Sequence, residues 1–65
     1  MKLSEFLALK EISQARFGEM VGVEQAAISR YVAGERMPRP EHLLRIREVT
    51  KGAVTADDFL LSAAE

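Results

Sequence analysis

Cysteine is absent from the 65-residue chain, histidine occurs once, proline twice, and aromatic residues make up only 6%. Without cysteine there is neither a disulfide nor a thiolate-held zinc, two of the staples on which very small domains rely. One histidine and no cysteine do not assemble a nucleophile, a base and an orienting group. Nor is there a glycine-rich phosphate loop or a cluster of metal ligands, so neither an enzyme, a small-molecule substrate nor a cofactor is expected. The lone His42 is expected at the surface, in the first turn of a helix. Long apolar runs are missing too: Glu5 and Lys10 interrupt the opening MKLSEFLALK, so neither a signal peptide nor a membrane span is expected.

What is present is the composition of a folded globular chain, 48% hydrophobic and 29% charged. The length allows one domain, residues 1–65, which buries only roughly 60% of the surface its unfolded form exposes. A core that thin points to self-association as the missing source of stability. The formal net charge of -1 argues, as a sum, against a polyanionic partner. Its distribution says otherwise. Between Gln25 and Pro40 lie Arg30, Arg36 and Arg39 against Glu35, whereas after Gly52 the only charged residues are Asp57, Asp58 and Glu65. A near-neutral average hides a positive middle and an acidic end.

Apolar residues recur at three and four along nearly the whole chain, which predicts an all-α fold of five short helices. Leu3, Phe6, Leu7 and Lys10 share a face of the first. Ser13 is positioned to cap a second helix from Gln14 to about Val21, with Gly22 as its left-handed stop. A third is predicted from near Gln25 to about Ala33, stopped by Gly34. Pro40 suits the first turn of a fourth, with Leu43, Ile46 and Val49 inward and Gly52 beyond its end. Thr55 with Asp58 resembles a variant capping box that opens a last helix through Phe59, Leu60 and Leu61. Three successive apolar residues cannot all face inward, so one is expected to meet a second copy.

Only about three residues separate the second and third helices, so the two must meet at a steep angle. Gly18 is small where the third helix crosses the second, and Phe17, Val21, Val23, Ile28, Tyr31 and Val32 form the apolar seam. Tyr31, spaced from Ile28, is expected in the core with its hydroxyl at the surface. On the other face of the third helix stand Gln25, Ala26, Ser29, Arg30 and Ala33, short or hydrogen-bonding side chains in one exposed stripe. The major groove accepts a helix with such a face. Gln25 has the geometry to bond adenine N6 and N7, and Arg30 either guanine O6 and N7 or a phosphate, with Ala26 and Ser29 adding short contacts.

The segment QARFGEMVGVEQAAISRYVAG, residues 14–34, resembles the helix-turn-helix of Cro/CI-type (XRE-family) repressors from phages and bacteria, and the five-helix frame carries the resemblance over almost the whole chain. Two positions depart from the pattern: Gly18 stands where the family usually has alanine, and Glu24 where it has a serine or threonine cap. The resemblance implies that Gln14 contacts phosphate through its backbone amide and braces Gln25. It also implies that Arg36 and Arg39 lie in a loop that follows the DNA backbone. The expected protein is then a homodimeric transcriptional regulator of the phage or prophage repressor type, with the third helix in the major groove of a double-stranded pseudo-palindromic operator. The expected location is the cytoplasm, phage-encoded or associated with a bacterial nucleoid. The rival reading is an adaptor of antitoxin or antirepressor type, which uses the same fold to bind protein.

Overall fold

Apolar spacing, caps and glycine stops together dictate where the helices fall. A computed structural model of the chain describes residues 1–59. The helices are α1 (Leu3–Lys10), α2 (Gln14–Val21), α3 (Gln25–Ala33) and α4 (Pro40–Val49), and a fifth opens at Ala56. No strand occurs among the described residues. Ser13 caps α2, its Oγ accepting the Arg16 N–H at 3.1 Å. Gly22 and Gly34 close α2 and α3 at φ of 90° and 75°, which a residue with a Cβ adopts only under strain.

One core unites the helices: Leu3, Phe6 and Leu7 from α1, Phe17 and Val21 from α2, Ile28 and Tyr31 from α3, Ile46 from α4, and Val54 and Phe59 beyond it. Phe17, Ile28, Ile46 and Val54 are fully enclosed. Burying a side chain of that size stabilises by roughly 1.5–3 kcal/mol each. Two edge-on aromatic pairs lock the ends of this core, Phe6 on Phe17 with centroids 6.1 Å apart and Tyr31 on Phe59 at 6.3 Å. Val32, Leu43 and Val49, expected inward, are half-buried at its rim, and Lys10 is exposed.

Three features were not foreseen. α1 ends at Glu11, a non-glycine residue at φ 55°, after which the Ile12 N–H bonds the Leu7 carbonyl at 3.0 Å. α4 ends at Val49 with Gly52 past its end at φ 83°, as the sequence predicts, but buried Thr50 adds a clasp there: its Oγ1 donates to the Ile46 carbonyl at 2.8 Å and accepts the Val54 N–H at 3.1 Å. His42, expected at the surface, is half-buried with its Nδ1 enclosed and unpartnered among the described residues. It lies one turn before Ile46 on the buried face of α4, which is why it is drawn in.

The capping box at Thr55 forms. The Asp58 carboxylate accepts the Thr55 N–H at 2.9 Å and its hydroxyl at 3.2 Å, and binds the Met1 ammonium at 2.9 Å. Partial burial pushes the Asp58 carboxyl upward, but the Thr55 bonds and the ammonium together outweigh that and hold it below its ordinary value. Of the three apolar residues at the chain's end, Phe59 is buried against Tyr31 and not left for a partner, while Leu60 and Leu61 lie outside the described residues.

The steep α2–α3 crossing rests on Gly18. A Cβ built there would lie 2.7 Å from the Val23 carbonyl oxygen, which is backbone and has no rotamer by which to withdraw. Gly18→Ala is therefore expected to lower stability by about 1–3 kcal/mol, although alanine is the better helix former by roughly 1 kcal/mol. Urea unfolding checks this, and a variant as stable as the parent would show that the turn yields without cost.

Candidate nucleic-acid interface

The turn from Gly22 to Glu24 is held from below. The Gly18 carbonyl accepts the Gly22 N–H at 2.7 Å and the Val23 N–H at 2.9 Å, so the end of α2 and the approach to α3 share one acceptor. From α4, Arg45 Nε donates to the Met20 carbonyl at 3.2 Å and ties down the last turn of α2. That contact joins residues far apart in sequence, and no local signal announced it.

On this support α3 buries Ile28 and Tyr31 and half-buries Ala27. Its opposite face is open: Gln25, Ala26, Ser29, Arg30 and Ala33 are all exposed, as the spacing predicted. Tyr31 is in the core. Gln14 and Gln25 are the first residues of α2 and α3. No hydrogen bond joins their side chains among the described residues.

The N-cap Glu24 is extended and makes no side-chain hydrogen bond, and the Gln25 and Ala26 N–H groups have no partner among the described residues. The positive end of α3 therefore faces outward beside a carboxylate. Beyond Gly34 the loop is pinned by Pro38, which is buried, while Arg36 and Arg39 are exposed on either side of it. Pro40 forces Arg39 into the extended backbone seen there, φ -67° and ψ 156°. The pin at Pro38 was not anticipated. It follows from the fold, since nothing in the PRP repeat says which proline turns inward.

Two arginines of the domain are paired on their own helices. Arg16 is paired with Glu19 at 3.2 Å and Arg45 with Glu48 at 3.7 Å. Among the described residues Arg30, Arg36 and Arg39 have no ion-pair partner and remain available to a polyanion. The described residues hold no group of three His, Asp or Glu arranged for a metal, and no helix long and apolar enough to cross a membrane.

The helix-turn-helix family model matches residues 3–55, over four-fifths of the chain. The chain belongs to that family, as an XRE/Cro-type domain. No curated protein and no solved structure matches it. An XRE-type helix-turn-helix is a DNA-binding domain of the kind found in transcription regulators, a family not typically enzymatic.

Within this helix-turn-helix, Glu24 is the residue least suited to its position. Glu24→Ser is expected to raise stability by about 1 kcal/mol through a cap bond, and to tighten DNA binding most at low salt. Unfolding curves and binding titrations at two salt concentrations check both parts. An affinity that does not change would place the carboxylate away from phosphate.

Proposed function

We propose that this XRE-type domain is a sequence-specific transcriptional repressor of the phage or prophage type. It acts in the cytoplasm as a homodimer on a pseudo-palindromic operator, with α3 of each copy in a major groove and half-sites about one helical turn, roughly 34 Å, apart. The observation that carries the reading is the exposed α3 stripe, whose side chains are short or bear hydrogen-bonding groups and whose one cation is unpaired. Gln25 and Arg30 read base edges, Ala26 and Ser29 make the short contacts beside them, and Gln14, Arg36 and Arg39 grip the backbone. Gln14 is half-buried, which suits contact through its backbone amide rather than a reaching side chain.

The adaptor reading draws on a different observation, the exposed Leu9 and Leu44, which lie outside the α3 stripe. Selection from a random DNA pool separates the two. An enriched palindrome supports the repressor, while no enriched motif and a flat salt response leave the adaptor.

Two substitutions divide reading from gripping. Gln25→Ala is expected to cost about 1–3 kcal/mol on the selected site and to relax preference at one base pair. Arg36→Ala is expected to weaken all sequences alike and to flatten the salt dependence by about one charge. Repeating the selection and the salt titration with each variant checks the pair. An unchanged motif for Gln25→Ala would remove it from the base readers.

A further inference from the structure

A groove of about 450 Å³ opens where the end of α1, the last turn of α2 and the end of α4 converge, and none of Gln25, Ala26, Ser29 and Arg30 lines it. Its floor is held in place. Phe6 packs edge-on against Phe17, and the Thr50 hydroxyl is bonded to the Ile46 carbonyl and the Val54 N–H, so the hollow exists before anything enters it. On the α2 side the Arg45 bond to the Met20 carbonyl anchors the wall. Ile12 and Met20 are half-buried in the groove, while Leu9, which also lines it, is 64% exposed.

The charge around this hollow has one sign. Lys10 and Lys51 line it, are exposed, and have no ion-pair partner among the described residues, and no described Asp or Glu lines it. An occupant must therefore offer apolar surface and negative charge together. DNA brings phosphates to the lysines but nothing apolar to cover Leu9 and Met20. A flat anionic bilayer reaches Leu9 but not Ile12 and Met20, which sit lower. A second copy on a two-fold axis would set the lysines of one face against the lysines of the other. What fits is a ridge with an apolar crest and acidic flanks, the surface of an amphipathic helix. Met20, unbranched and polarisable, adjusts to such a crest.

We propose that this groove is a docking site for an acidic amphipathic helix of another protein. Apolar side chains of that helix at i, i+3 or i+4, and i+7 cover Leu9, Ile12 and Met20, and Asp or Glu beside them pairs with Lys10 and Lys51. The site goes beyond the DNA reading and differs from the adaptor alternative, because the groove and the α3 stripe share no residue. One chain is thus able to hold an operator and a partner together.

Selection of a displayed library of single-helix peptides on the full chain, randomised at apolar and charged positions, tests the site. Enriched peptides are expected to carry apolar residues at helical spacing with Asp or Glu beside them. The strongest, synthesised with a fluorescent label, is expected to bind saturably by anisotropy and to shift the amide resonances of Leu9, Ile12, Met20 and Ala53 but not those of Ser29 and Arg30. Leu9→Glu is expected to raise its dissociation constant at least about tenfold, and Lys10→Glu or Lys51→Gly about two- to fivefold each. Lys51 is held at φ 55°, a conformation glycine adopts freely, so Lys51→Gly removes the charge without straining the fold. Leu44→Glu, outside the groove, is expected to bind as the parent does. Far-UV circular dichroism verifies folding, and the two lysine variants decide the matter if Leu9→Glu unfolds. Enrichment of basic peptides or of none, lysine variants that bind like the parent, or shifts confined to α3 would each overturn the proposal. Binding to phosphatidylglycerol vesicles in place of the peptide would overturn it too and assign the groove to a membrane surface. A chain that takes the acidic peptide yet selects no DNA motif would support the site and count against the operator reading alone.

Discussion

The approach of the α2–α3 turn to the backbone of α2 is the constraint on which the rest of the molecule depends. The Gly18 carbonyl takes the N–H groups of both Gly22 and Val23, and the space above its Cα is filled by the Val23 carbonyl. A side chain there would push α3 outward. The crossing sets which face of α3 meets Phe17 and Val21 and which is left in solvent, so one missing methyl group orients the stripe proposed to read DNA. Alanine at this position, the usual residue in the family, would require a slightly wider turn. The chain has traded helix propensity for closeness.

Local pairing, more than net charge, decides what this protein offers a polyanion. At a formal net charge of -1 the chain has no long-range pull on DNA. Two of the cations are neutralised locally. Arg16 and Arg45 are held by carboxylates one turn away on their own helices, whereas those on α3 and in the loop after it have no such neighbour. The buried Pro38 keeps Arg36 and Arg39 on the outside of that loop. Glu24 and Glu35 flank α3 and oppose this arrangement, which implies affinity that leans on fitted contacts more than on phosphate neutralisation.

Opposite solutions are used to end the helices. Glycine ends α2 and α3, where the chain must turn sharply and nothing packs above the turn. α4 is ended by the Thr50 hydroxyl, which bonds backward to Ile46 and forward to Val54 and so draws Val54 into the core. The Asp58 carboxylate then gathers the two ends of the described chain, binding Thr55 and the Met1 ammonium. In a domain with neither disulfide nor metal among its described residues, these polar clasps do the work of cross-links across a small core.

Local chemistry alone determined the helices, their caps and the division of α3 into a core face and an outer face. The capping residue, the glycine stop and the three-to-four spacing of Phe17, Val21, Ile28 and Tyr31 are properties of short stretches, and short stretches show them. The outward positions of Gln25, Ala26, Ser29 and Arg30 were legible for the same reason, whereas the loop placement of Arg36 and Arg39 came from the family resemblance. What the fold decided involves partners distant along the chain: the Arg45 bond to Met20, the burial of Pro38 and His42, the seating of Phe59 on Tyr31, and the groove that Lys10 and Lys51 line together. None of these has a period or a motif, because each depends on where two separately formed helices come to rest against each other.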